Sequence, residues 1–116
     1  KQGIAELEKV RTSMPTYDHA GASRVLGMMY MTAPGYTPFG NVKKAVELEE
    51  EATRLAPDYL LNRLYLANAY NKQGNKVAAI REYKEVLAGA ANTPGEESQK
   101  LSDEARKQLK ELGQNP

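Results

Sequence analysis

"GNKVAAIREYKEVLAGAA" (74–91) has an echo upstream in "GNVKKAVELEEEATRLAP" (40–57). Gly40-Asn41 pairs with Gly74-Asn75, Ala45 with Ala79, Val46 with Ile80 and Ala52 with Val86, all 34 residues apart. The residues before each stretch pair as well, but 40 apart: Asp18 with Asp58, Leu26 with Leu66, Gly27 with Ala67 and Tyr30 with Tyr70. The first copy therefore carries six extra residues between Tyr30 and Gly40, within "MTAPGYTPFGN" (31–41). Self-similarity at such a period is the signature of stacked helical units.

Each copy reads as two helices. "YLLNRLYLANAYNKQ" (59–73) has no breaker before Gly74. Asn75 is placed to cap the next helix, whose stripe is Val77, Ile80, Tyr83, Val86 and Leu87. Asp18, Asp58 and Asn41 are assigned the other cap positions. The matching helix of the first copy shows Val42, Ala45, Val46, Ala52, Leu55 and Ala56 as its stripe, with Glu50 and Arg54 as an i, i+4 pair on the wet side. Residues 3–14 present Ile4, Leu7, Val10 and Met14 and stop at Pro15. "TPGE" (93–96) reads as a capping box with Thr93 as N-cap. The helix after it sets Leu101, Ala105, Leu109 and Leu112 on one face and polar residues on the other, as a terminal cap requires.

The expected fold is all-α, an antiparallel helical solenoid of about six helices forming one domain over 1–116. Residues 1–15 are a flanking helix from a truncated repeat. Repeat 1 covers 16–57 with an insertion loop at 32–40, repeat 2 covers 58–91, and the capping helix covers 93–113.

Composition limits the chemistry. The chain has 116 residues, a net charge of +1, no cysteine and one histidine, His19. Thiolate catalysis, disulfides and multi-histidine metal sites are excluded, and no cofactor is expected. Aromatic residues do not interleave with a basic stripe, so nucleic acid is not an expected partner. No apolar run reaches a membrane span, so direct membrane insertion is not expected. The chain starts at Lys1 rather than Met, so a segment before it is expected to have been trimmed. Tyr17-Asp18-His19 lacks a third converging group, which argues against catalysis there. The chain is expected not to be an enzyme.

A 34-residue helix-turn-helix unit with Leu66-Ala67-x2-Tyr70 and Ala79-x3-Tyr83, and Leu26-Gly27-x2-Tyr30, Ala45 and Pro57 in the first copy, resembles the tetratricopeptide repeat (TPR) family. The sequence departs from that pattern at Arg63, Ala91, Glu49 and Ser23. The loop with its "APGYTP" core also resembles a branch of bacterial, exported TPR proteins akin to the TPR component of periplasmic substrate-uptake transporters. The resemblance implies a concave face built from the first helix of each pair, carrying Gly21, Arg24, Met28 and Met31 from one copy and Leu61, Leu64, Asn68 and Asn71 from the other, with Tyr65 beside them. It implies a non-enzymatic protein- or peptide-binding scaffold, with export favoured over the cytoplasm.

The candidate partner-binding residues are Arg24, Met28, Leu64, Tyr65 and Asn68, with Tyr36 and Phe39 from the loop. For several of them two readings stand side by side. Arg24 either grips a partner carboxylate in bidentate fashion or pairs with a structural acid. Met28, Met29 and Met31 are either an adaptable surface or, as favoured, core. Tyr36 and Phe39 either clamp a ligand or pack over helix ends. The alternative function is a small-molecule binder, for an anionic or apolar ligand, with loop 32–40 roofing a pocket. Self-association through open helix ends is the third reading.

Overall fold

The computed structural model describes residues 3–33 and 41–115. These form six α-helices: α1 (Ile4–Ser13), α2 (Tyr17–Thr32), α3 (Val42–Leu55), α4 (Leu60–Gln73), α5 (Lys76–Ala91) and α6 (Glu96–Glu111). Each helix packs on the next. In addition α4 touches both α2 and α6, which puts these three in one layer. The six pack into a compact all-α globule with extents of 40 × 31 × 22 Å.

The interior has two parts. A large apolar cluster joins α4, α5 and α6, with Leu66, Ala67, Tyr70, Ala79, Tyr83, Val86, Leu101 and Leu109 among its members, and Val46 reaches it from α3. A smaller one joins α1, α2 and α3 through Leu7, Ala22, Leu26 and Leu48. The apolar stripe of α6 lies where its spacing puts it: Leu101, Ala105 and Leu109 are buried. Two stripes are shorter than the spacing suggests. Met14, the C-cap just beyond α1, is 51% exposed, and Val77 is 79% exposed because it lies on the face of α5 opposite buried Ala79 and Val86.

Two of the expected caps form. Asn41 accepts from the Lys44 amide at 3.0 Å and Asn75 from the Ala78 amide at 3.2 Å, relieving an orphan donor at each helix start. The backbone also repeats: the Asn41 amide donates to the Tyr30 carbonyl and the Asn75 amide to the Tyr70 carbonyl. In the second copy Gly74, at φ 90, makes the left-handed turn that allows this. Pro34 to Gly40, including Tyr36 and Phe39, lie outside the described residues, whereas Thr32 closes α2 instead of opening the loop.

Other caps differ from expectation. Asp58 precedes an N-cap position held by Tyr59, and no side chain caps α4. Thr93 does not cap α6; the N-cap is Gly95, and the Thr93 hydroxyl donates back to the Gly89 carbonyl at 3.1 Å. Asp18 is not an N-cap because the backbone there is left-handed. Asp18, His19 and Ala20 have φ of 55, 53 and 62°. Three such residues without glycine cost roughly 1–2 kcal/mol each, so the surrounding contacts must hold the turn in place. Glu50 accepts from the Tyr70 hydroxyl at 2.6 Å, and among the described residues it makes no ion pair with Arg54.

Candidate functional site

The left-handed turn is held by a buried polar cluster centred on Arg24. This side chain points inward from α2, leaving the residue 7% exposed. Its Nη1 donates to Asn62 Oδ1 at 3.0 Å and to the His19 carbonyl at 3.3 Å. Its Nη2 lies 3.5 Å from Asp18 Oδ2. The guanidinium sits 5.2 Å from the Tyr59 ring centre, and His19 stacks on that ring at 4.1 Å. Asn62 completes the cluster, donating to the carbonyls of His19 at 2.8 Å and Ala52 at 3.2 Å. One buried amide therefore joins α2, α3 and α4.

Beside this cluster lies Glu49, 1% exposed, with neither carboxyl oxygen hydrogen-bonded. Burial pushes its carboxyl up to about 9, and the charge of Arg24 opposes that rise. A carboxyl so placed stays protonated at neutral pH, because ionising it away from water is costly. It fits only because Gly27 faces it: a Cβ at Gly27 would collide with the carboxyl group. At the α1 side Glu51 accepts from Arg11 Nε and from the Ser23 hydroxyl, both at 2.6 Å. The Arg11 bonds, with help from Ser23, hold Glu51 below the usual carboxylate range.

The open surface of the α2–α4 layer lies further along both helices. A cleft of about 600 Å³ is lined by Met31, Thr32, Asn68, Asn71 and Lys72. Met31 forms its apolar side and also packs against the large cluster. Asn68 accepts from the Tyr83 hydroxyl, which fixes its amide plane. Among the described residues the Asn68 Nδ2 has no acceptor and remains free to donate. Burial pushes the Tyr83 hydroxyl up to about 12, with Asn71 opposing, so it stays protonated as that donor. Asn71 lies one turn along α4 from Asn68, and Lys72 adds a positive charge.

Of the residues singled out from sequence, Asn68 lines this cleft, as do Met31 and Asn71, which the resemblance had placed on the concave face. Arg24 and Leu64 do not, since both are buried: Arg24 in the polar cluster and Leu64 in the large apolar one. Met28 and Tyr65 are half-buried outside the cleft's lining, and Met29 packs against the smaller cluster. Thr32 and Lys72 were not singled out. Lys72 follows Asn71 at the end of α4, and that adjacency was its only sequence signal.

Residues 16–113 match the family described as Regulator of microtubule dynamics protein 1-3. No curated protein and no solved structure matches the chain. The family match overturns the resemblance to the TPR family and to its exported bacterial branch, and with that branch goes the reason for favouring export. Three of the four slots at which the sequence departs from the TPR pattern hold the fold together here. Arg63 pairs with Glu82 at 2.8 Å, Ser23 binds Glu51, and Glu49 is buried against Gly27. The small and aromatic slots that suggested the TPR family follow from packing helix pairs closely, which many folds require. The chain belongs to the family of regulator of microtubule dynamics proteins 1–3.

Proposed function

We propose that the chain is a non-enzymatic protein-binding module, a helical solenoid that holds an extended segment of a partner in the cleft between the C-terminal turns of α2 and α4. The observation that carries this reading is the pair Asn68 and Asn71, one helical turn apart beside Met31 and Lys72. Carboxamides spaced along a helix can donate to and accept from an extended main chain, while an adjacent apolar wall takes a side chain. Arg24, which a pocket for an anionic small molecule would use, is committed to Asn62 and His19. That commitment favours the protein-binding reading over the small-molecule one. The family's name speaks of regulating a protein polymer, and a protein partner is the matching class for this chain.

The test is affinity capture from native extract with the immobilised chain, followed by titration of the purified captured protein. The control carries Asn71→Ala and Lys72→Glu, with helicity checked by circular dichroism and stability by urea unfolding. We expect the control to bind at least about tenfold more weakly, since an interface residue at the centre of a contact costs more than about 1 kcal/mol when lost. Equal retention of the same proteins by both forms would refute the cleft.

A further inference from the structure

The net charge of +1 hides an uneven distribution. The turns joining α1 to α2, α3 to α4 and α5 to α6 lie at one end of the stack. Across residues 14–19, 56–61 and 93–98 they carry Asp18, Asp58, Glu96 and Glu97 and no Lys or Arg. The turn between α4 and α5 at the other end is flanked by Lys72 in the last turn of α4 and Lys76 at the start of α5.

Two hollows open on the acidic end. The larger, about 320 Å³, has Leu60, Leu61, Pro94 and Leu101 in its wall, with Asp58, Glu96 and Glu97 around it. The smaller, about 220 Å³, is lined by His19, Ala56 and Pro57. Asp58 and Tyr59 belong to both and separate them. The Tyr59 ring is clamped by the His19 stack on which Arg24 also bears, so the dividing wall is preformed. A preformed wall lowers the ordering cost of binding. Glu96 and Glu97 occupy the first turn of α6, where carboxylates favour the helix N-terminus on their own account. Asp58 has no such role, for it caps nothing and is exposed.

We propose that this end docks a basic linear peptide, independently of the α2–α4 cleft. Two apolar side chains enter the two hollows, and a Lys or Arg between them meets Asp58. Charge complementarity selects the partner: no Lys or Arg lines either hollow, whereas Asp58, Glu96 and Glu97 do, so a basic segment finds charge partners that an acidic one lacks.

The test uses the full chain and two fluorescein-labelled synthetic peptides. In one, Phe and Leu flank two lysines; in the other they flank two glutamates. Anisotropy gives the affinity, and amide shifts in ¹H–¹⁵N spectra give the place. The lysine peptide is expected to bind, more weakly as salt rises, and to shift Asp58–Leu61 and Thr93–Ser98. Asp58→Lys should weaken it by about tenfold and Asp58→Asn by less, as for a lost charge pair at an interface. Lys72→Glu, in the other cleft, should leave it unchanged. Asp58→Asn alone decides the matter if Asp58→Lys fails to fold. Equal affinity for both peptides, no binding by either, indifference to the Asp58 variants, or shifts confined to Asn68–Lys72 would each overturn the proposal. So would a molecular mass that rises with concentration and falls back in Asp58→Asn, which would make a second copy the occupant.

Discussion

The two helix pairs, α2–α3 and α4–α5, put different chemistry into equivalent slots. Arg24 corresponds to Leu64, and Glu49 corresponds to Tyr83, at the offsets of 40 and 34 that relate the copies. All four residues are buried. In the second pair Leu64 and Tyr83 join the large apolar cluster, and Tyr83 sends its hydroxyl to Asn68. In the first pair Arg24 donates from Nη1 to two acceptors, whereas Glu49 makes no hydrogen bond from either carboxyl oxygen. Similar helix pairing thus tolerates an oily interior and an ionisable one. The difference lies in what each specifies. Apolar contact is non-directional, whereas the polar cluster demands one geometry, and that geometry pins the left-handed turn at Asp18–Ala20.

The strongest way to break the comparison is to empty the apolar slot. Tyr83→Ala should cost about 3–5 kcal/mol, the range for removing a fully buried aromatic ring. Urea unfolding reads this directly, and a loss below about 1 kcal/mol would mean that the slot is not the centre of the second pair.

Next comes the ionisable slot. Glu49 is protonated in the folded chain up to about pH 9, but in the unfolded chain only up to the ordinary carboxylate value. Between those limits the folded state binds more protons, so stability is greatest below the unfolded value and falls as pH rises toward the folded one. From about pH 5 to about pH 7 the wild type should lose on the order of 2 kcal/mol that Glu49→Gln retains. Parallel pH profiles for the two proteins would refute a neutral, buried Glu49.

The smallest effect sharpens the packing side. Gly27→Ala should cost about 1–3 kcal/mol, because the added methyl meets the Glu49 carboxyl. The second pair has Ala67 at that slot with Tyr83 nearby. Shortening the acid in Gly27→Ala/Glu49→Ala should make the two losses less than additive in a thermal or urea cycle. Strict additivity would place the clash elsewhere.

Local rules made much of the architecture legible. Six helices, the caps at Asn41 and Asn75 and the buried face of α6 all follow from periodicity and short-range hydrogen bonds. The caps at Asp18, Asp58 and Thr93 failed because a capping side chain also needs a particular backbone entry. At these places the turns deliver a left-handed run or a start one or two residues later. The family was misread for a related reason: small and aromatic slots report close helix pairing rather than descent.

What the sequence determined by itself was therefore the repeat, the helix count and which helices are amphipathic, because these depend on neighbours a few residues away. Only the tertiary structure decided that Arg24 turns inward to an acceptor 38 residues along the chain, that Glu49 is sealed against Gly27, and that Thr32 and Lys72 complete the lining of the cleft at Asn68. A long side chain on a helix boundary chooses between water and a distant partner. That choice is settled by the free energy of contacts between helices, which spacing along one helix does not contain.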